Sequence, residues 1–247
     1  MTTTILKRTS STFRRSCADL AKYLTRTRPD GTVLELAFTD RQDGDFHIDA
    51  EPVALAQRRH AVLAGDWSVV RQVHGADVVQ ANPGVSPEAD GVFTAELEQP
   101  IAVQGADCAP IALVGELGPI GVVHAGWRGL AAGVVDVMVE TLRNEGASVD
   151  TAIVGPLIGT DCYEFGADDL DQVARSLGEV VRGKTTAGTP ALDLAAGIRA
   201  SCSRAGIDTV RFVGGCTACT WDGFSHRARQ ESGRHALAAR LTAGALR

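Results

Sequence analysis

The chain has 247 residues, 45% of them apolar and 22% charged, a globular composition with enough length for one large core. No apolar run approaches the ~18 residues of a membrane helix, and a net charge of −6 lacks the basic field of a general nucleic-acid binder. Glycine is abundant, at 27 residues, and aromatics are scarce, at 5%; this points to tight turns and close backbone approaches, where small ligands sit.

Residues 1–30 hold seven Lys or Arg against two Asp, and the remainder carries a net charge of −11. The basic, Ser/Thr-rich start has no apolar stretch of a secretory signal. It reads as a solvated extension over 1–32 or a peripheral first helix, with an organellar transit peptide as the alternative. Six cysteines (Cys17, Cys108, Cys162, Cys202, Cys216, Cys219) in a chain of this length read as reduced thiols of a cytoplasmic protein, not as a disulfide framework. From 33 to 247 β and α segments alternate. Strands are expected at 32–38, 67–73, 78–79, 101–104, 111–114, 120–124, 152–154 and 209–213. Helices are expected at 52–63, from Trp127 to a stop at Gly146, at 167–177, at 192–205 and near 231–242. No internal repeat or low-complexity linker divides the chain. The expectation is a single α+β domain with several loops meeting at strand ends.

Three of those strand ends carry reactive side chains. Arg71-Gln72-Val73-His74-Gly75 runs from a strand into His-Gly, and Asp107-Cys108-Ala109-Pro110 lies between two short strands. Val123-His124-Ala125-Gly126-Trp127-Arg128 passes from a strand into the strongest helix. Rigid strands hold such loops while leaving them accessible. Taken singly, each His reads as a structural residue and Cys108 as a small buried thiol. Together His74, Cys108 and His124 offer two imidazoles and a thiolate, the donor set that leaves a fourth position open on a catalytic zinc, although their spacings are not diagnostic. The helix N-terminus at Trp127, with Arg128, makes an anion site beside His124; pairing of Arg128 with a surface carboxylate is the plainer alternative. Downstream, Cys216 and Cys219 with Cys202 and His226 offer a Cys3His zinc site or a redox pair.

Read in order, Gln72-Val73-His74-Gly75, Ala106-Asp107-Cys108-Ala109-Pro110, His124-Ala125-Gly126-Trp127-Arg128-Gly129, Gly155-Pro156-Leu157-Ile158-Gly159, Cys162-Tyr163-Glu164, Cys216-Thr217, Phe224-Ser225-His226-Arg227 and Gly233-Arg234 resemble the laccase-domain family. Its older label is multicopper polyphenol oxidase and its newer one purine nucleoside phosphorylase. The resemblance implies a layered α/β/β/α sandwich with mixed sheets, in which His74, Cys108 and His124 bind one metal, most often zinc, with copper able to enter the same site. It implies phosphorolysis of adenosine, inosine and methylthioadenosine, with adenosine deamination as a second activity. Arg41, in Phe38-Thr39-Asp40-Arg41, matches an early Thr-Arg segment, so Arg41, Gln72 and Arg128 are the candidate substrate contacts. The chain departs from the family where Gln42-Asp43-Gly44-Asp45 replaces a Gly-Gly pair, and where Ala228 and Arg229 stand in place of an acidic residue.

On this reading Asp107 shuttles protons or orients a ligand histidine, and Arg128, the helix N-terminus and Arg41 hold phosphate. Two alternatives use the same residues. Cys108 is a nucleophile with His74 or His124 as its base in an amidase acting on a muramoyl-serine precursor, or the zinc is structural in a non-catalytic module. The expected partners are a purine nucleoside and phosphate, with no nucleic acid and no membrane; a homodimer is the one macromolecular partner left open. Oxidase chemistry is rejected: six scattered histidines without a His-x-His pair do not supply a type-1 plus trinuclear copper set, and a blue-copper site wants an axial Met, for which the chain offers only Met138, in the core of a helix.

Overall fold

The computed structural model describes the backbone of residues 14–15 and all of 23–244. The reading of residues 1–13 and 16–22 as extension or transit peptide, and Cys17, lie outside the described residues. Two six-stranded mixed sheets form the centre. The first contains β1 (Arg14–Arg15), β2 (Tyr23–Thr27), β3 (Val33–Phe38), β4 (Ser68–Val69), β7 (Ile101–Gly105) and β14 (His235–Thr242), in the order β1-β2-β3-β14-β7-β4. The second contains β5 (Val78–Gln80), β6 (Gly91–Thr94), β8 (Ala109–Gly115), β9 (Ile120–Ala125), β10 (Val149–Val154) and β13 (Thr209–Phe212), in the order β13-β10-β8-β9-β6-β5. Most neighbours are antiparallel; β4 with β7, β5 with β6 and β10 with β13 are parallel. A hairpin of β11 (Arg182–Lys184) and β12 (Pro190–Leu192) stands apart.

Side-chain alternation along the strands builds the layers. Leu34, Leu36 and Phe38 of β3 and Leu237, Ala239 and Leu241 of β14 meet Ala112 and Val114 of β8 and Ile120 and Val122 of β9, a core between the sheets. The opposite face of β8, with Ile111 and Leu113, packs under α2 (Trp127–Ala131), α3 (Val134–Asn144), α4 (Ala167–Leu177) and α5 (Leu194–Arg204). Ala236 and Ala238, on the outer face of β14, pack near Leu55 of α1 (Pro52–Val62). The result is the α/β/β/α sandwich, with a one-turn helix α6 (His226–Arg229) near the site.

Three expectations change. Most of the segment read as a last helix near 231–242 is the strand β14, paired with β3 over Leu237–Thr242 and with β7 over His235–Ala239. Its Ala, Leu and Arg residues favour a helix locally, but the small Ala side chains are what fit a central strand with packed layers on both faces. The helix expected from Trp127 to Gly146 breaks at Gly133, whose φ of 91° leaves the helical region. Residues 23–28 are not a solvated extension: Tyr23–Thr27 pairs with β3, and the buried Arg28 donates to the carbonyls of Glu116 at 3.0 Å and Gly118 at 2.8 Å across the domain.

Leu237 is completely buried between the sheets. Leu237→Ala therefore costs about 2–5 kcal/mol of stability in urea unfolding, whereas Val53→Ala on the exposed face of α1 stays within about 0.5 kcal/mol.

Candidate metal centre and its cavity

His74 lies in the loop after β4, Cys108 between β7 and β8, and His124 within β9. The sandwich brings the three together, with ligand atoms all within 4.8 Å of one another. The rings of His74 and His124 meet edge to face at 4.9 Å between centroids. Gly126 follows directly; a Cβ there would lie 2.9 Å from Cys108 Sγ and 3.1 Å from His74 Cδ2, so only glycine lets the α2 entry pass this close.

The loop geometry depends on Asp90, which immediately precedes β6 and has no exposed surface. Its carboxylate accepts the backbone N–H groups of Val73, His74 and Gly75 at 3.2, 3.0 and 2.6 Å. These bonds hold His74 at φ 62°, in the left-handed region that a non-glycine residue needs outside support to occupy. The same carboxylate meets His124 Nδ1 at 2.8 Å. An ionised carboxylate only accepts, so Nδ1 holds its proton toward Asp90 and Nε2 is the nitrogen left to a metal, which takes the place of the proton that Nε2 carries beside the Cys108 thiolate. Burial pushes the Asp90 carboxyl up, and the bonds from His124 and from the loop outweigh it, so the group sits below its usual range. Burial likewise pushes the Cys108 thiol up, but the charge of His124 and hydrogen bonds from both histidines bring it down. Burial pushes His124 down, and the Cys108 thiolate and Asp90 raise it. A negative sulfur and two nitrogens are the donors that zinc takes in open catalytic sites, so the residues fit the ion.

The trio opens on a cavity of about 460 Å³, in the range of small-molecule sites. The other sequence-derived candidates divide. Arg128 lines the cavity, its guanidinium 4.3 Å over the Trp127 ring. The helix it opens has only five residues, and Gly126 gives its first turn no side-chain cap. Gln72 lines the cavity too, but its amide is used by the backbone of Gln104, at 2.7 and 2.9 Å. Asp107 is not the residue that orients a ligand histidine; Asp90 does that. Asp107 instead accepts from Thr217 Oγ1 at 2.6 Å, Ser225 Oγ at 2.7 Å and the Arg227 N–H at 2.6 Å, tying the 217–227 segment to the Cys108 loop. Arg41 is not among the cavity-lining residues: it pairs with Glu231 at 2.7 Å and lies 4.8 Å over the Phe224 ring. Glu231, three residues beyond Ala228, thus supplies the acidic charge whose expected place is taken by Ala228 and Arg229. The Cys3His set is not assembled as expected, because Cys202 is buried in α5 and His226 lines the main cavity.

Sequence reasoning missed Asp90, Tyr163 and Arg227 as site residues. A single Asp ahead of Gly91 looks like a turn residue, and no spacing ties it to His124 34 residues on. Arg227, 5.2 Å over the Tyr163 ring, lines the cavity with it; both stood only within the resemblance motifs.

A mixed two-sheet sandwich with two histidines and a cysteine gathered in a cavity at its strand ends, a set that could hold a metal ion, is the class of protein defined here. The model of the multi-copper polyphenol oxidoreductase laccase family matches residues 30–242, and the chain belongs to that family. It is 35% identical to a purine nucleoside phosphorylase of Streptomyces griseus, over 85% of this chain and 95% of that one. It is 33% identical to a purine nucleoside phosphorylase of Mycobacterium tuberculosis, over 87% and 90%. Among solved structures it is similar to YlmD from Geobacillus stearothermophilus, with a TM-score of 0.74 at 26% identity, covering 94% of this chain and 99% of that one. Among the described residues no helix is long and apolar enough to cross a membrane.

Asp90→Asn turns an acceptor-only group into one that cannot accept from all four donors. Zinc affinity, measured by chelator competition, falls about 10- to 100-fold, while an unchanged affinity contradicts the orienting role.

Proposed function

We propose that the chain is a zinc-dependent purine nucleoside phosphorylase. It converts adenosine and inosine to the free base and ribose 1-phosphate and methylthioadenosine to adenine and 5-methylthioribose 1-phosphate, with adenosine deamination as a second activity and a cytoplasmic location. The observation that carries this reading is the convergence of the His74, Cys108 and His124 donors with the guanidinium groups of Arg128 and Arg227 on one cavity. The names of its relatives support the substrate class.

His74, Cys108 and His124 hold the ion, which when bound supplies a Lewis acid at the cavity wall. Asp90 keeps the proton of His124 on Nδ1. Arg128 and Arg227 present planar, permanently charged donors suited to a phosphate dianion. Each already lies over an aromatic ring, so less side-chain freedom is lost when phosphate binds. Trp127 and Tyr163 give the purine apolar faces. Held against the ribose, a phosphate oxygen bonds C1′ as the bond from C1′ to the purine breaks, and the proton carried by the hydrogen phosphate dianion ends on the departing purine. One observation favours a second reading: the Cys108 thiol, lowered by the two histidines beside it, also suits a thiol nucleophile in an amidase.

Purified protein incubated with adenosine or inosine yields base and ribose 1-phosphate only when phosphate is present, and incubated with a muramoyl-serine precursor releases no serine, all read by mass. Cys108→Ala loses bound zinc and lowers nucleoside turnover by at least about 100-fold. A variant that keeps zinc but loses turnover supports the thiol reading instead, and full activity after metal removal overturns zinc catalysis.

A further inference from the structure

Outside the cavity, three more cysteines converge. The Sγ atoms of Cys162, Cys216 and Cys219 all lie within 4.8 Å of one another, with Cys162 and Cys219 at 3.6 Å. The three come from two segments. Cys162 ends the short 3-10 turn Thr160–Cys162, while Cys216 and Cys219 belong to a turn in which the Cys216 carbonyl accepts the N–H groups of Thr220 and Trp221, both at 2.9 Å. The segments are fastened at their base by the bridge between Leu157 and Cys216 and by the Thr217 N–H donating to the Leu157 carbonyl at 3.1 Å.

We infer that Cys162, Cys216 and Cys219 form a second metal site, which takes a thiophilic d10 cation, zinc(II) or copper(I), through three thiolates. Two sulfurs on one zinc ion at about 2.3 Å from the metal stand about 3.8 Å apart in a tetrahedral site. The 3.6 Å between Cys162 and Cys219 is close to that arrangement and well beyond the ~2.05 Å of a disulfide, and the Cys216 sulfur lies within 4.8 Å of both. Soft thiolate sets select zinc and copper(I). The Gly159 N–H donates to Cys216 Sγ at 3.1 Å; burial pushes that thiol up, and this bond with one from Ala218 outweighs it and favours the thiolate. Cys162 is held well above its usual range, by burial and by the neighbouring sulfurs. Three sulfurs this close repel one another once ionised, and a cation among them removes the repulsion; binding releases the remaining thiol protons to solvent. The sulfurs are half-buried to exposed, so an ion reaches them from solvent.

The site is not part of the cavity trio, but it adjoins it. Cys162 precedes Tyr163, and Thr217 lies between the two cysteines of the turn with its hydroxyl on Asp107 at 2.6 Å. An ion on the three sulfurs thus clamps together the two segments that carry Tyr163 and Asp107's anchor to the cavity.

The test is metal stoichiometry on the full chain, kept reduced with a non-chelating phosphine and titrated with Zn²⁺ alone and, separately, with Cu(I) alone. Wild type takes up about two equivalents of at least one of these ions, and Cys219→Ser, an exposed and conservative change, takes up about one fewer. In Cys108→Ser, which leaves the surface trio intact, one equivalent remains and is lost in Cys108→Ser/Cys219→Ser. Circular dichroism checks that each variant is folded. The inference is overturned if Cys219→Ser binds as much of both ions as wild type, or if no second equivalent of either ion binds. It is equally overturned if two of the three sulfurs form a disulfide that persists in reductant.

Discussion

The buried carboxylate of Asp90 is the constraint on which the site depends. It accepts three consecutive backbone N–H groups and the Nδ1 proton of His124, so one anion ties the His74 loop to strand β9, which the sequence separates widely. A charge with no exposed surface is costly unless its hydrogen-bonding capacity is filled, and four donors fill it. The cost of removing it falls first on the buried His124 Nδ1–H, which left without a partner costs about 1–3 kcal/mol. The sheet gives Asp90 its position. Gly91 pairs with Val123 in the β6–β9 register, and the His124 N–H donates to the Asp90 carbonyl at 2.8 Å, so carboxylate and imidazole are neighbours across one ladder. The chemistry of the trio is thus inherited from strand pairing.

Asp107 plays a parallel part on the other side of Cys108. It adopts φ 93° and fills its carboxylate with Thr217, Ser225 and the Arg227 N–H. Two residues with strained backbone, His74 within the trio and Asp107 next to Cys108, are therefore each held by hydrogen bonds to a carboxylate. Strain of this kind persists only where the surroundings over-determine it. The rigid strands β7, β8 and β9 provide those surroundings.

What the sequence made legible was local. Short β-branched runs ending in Gly or Pro marked most of the sheet, and His74, Cys108 and His124 each stood at or beside the end of such a run. The α/β/β/α layering came from the resemblance of the motifs, and alternation along β8 and β14 supports it physically. Long-range effects stayed hidden. Residues 235–242 favour a helix by propensity and become a strand only because two neighbours pair with both edges. Asp90 and the partnership of Cys162 with Cys216 and Cys219 join segments with no common spacing, and Arg41 looked free until Glu231 folded against it. Of the histidines, only His74 and His124 share a metal-ligand group among the described residues; His235 is buried in β14 and His60 sits on α1. Met138 is fully buried in the α3 core, where it cannot serve as an axial ligand.

Anomalous diffraction from zinc-loaded crystals, recorded on both sides of the zinc edge, tests the central claim most directly. The account predicts a peak about 2.0–2.1 Å from one nitrogen each of His74 and His124 and about 2.3 Å from Cys108 Sγ, with Asp90 still on His124 Nδ1. Zinc-loaded crystals whose anomalous peaks avoid these three residues would contradict it.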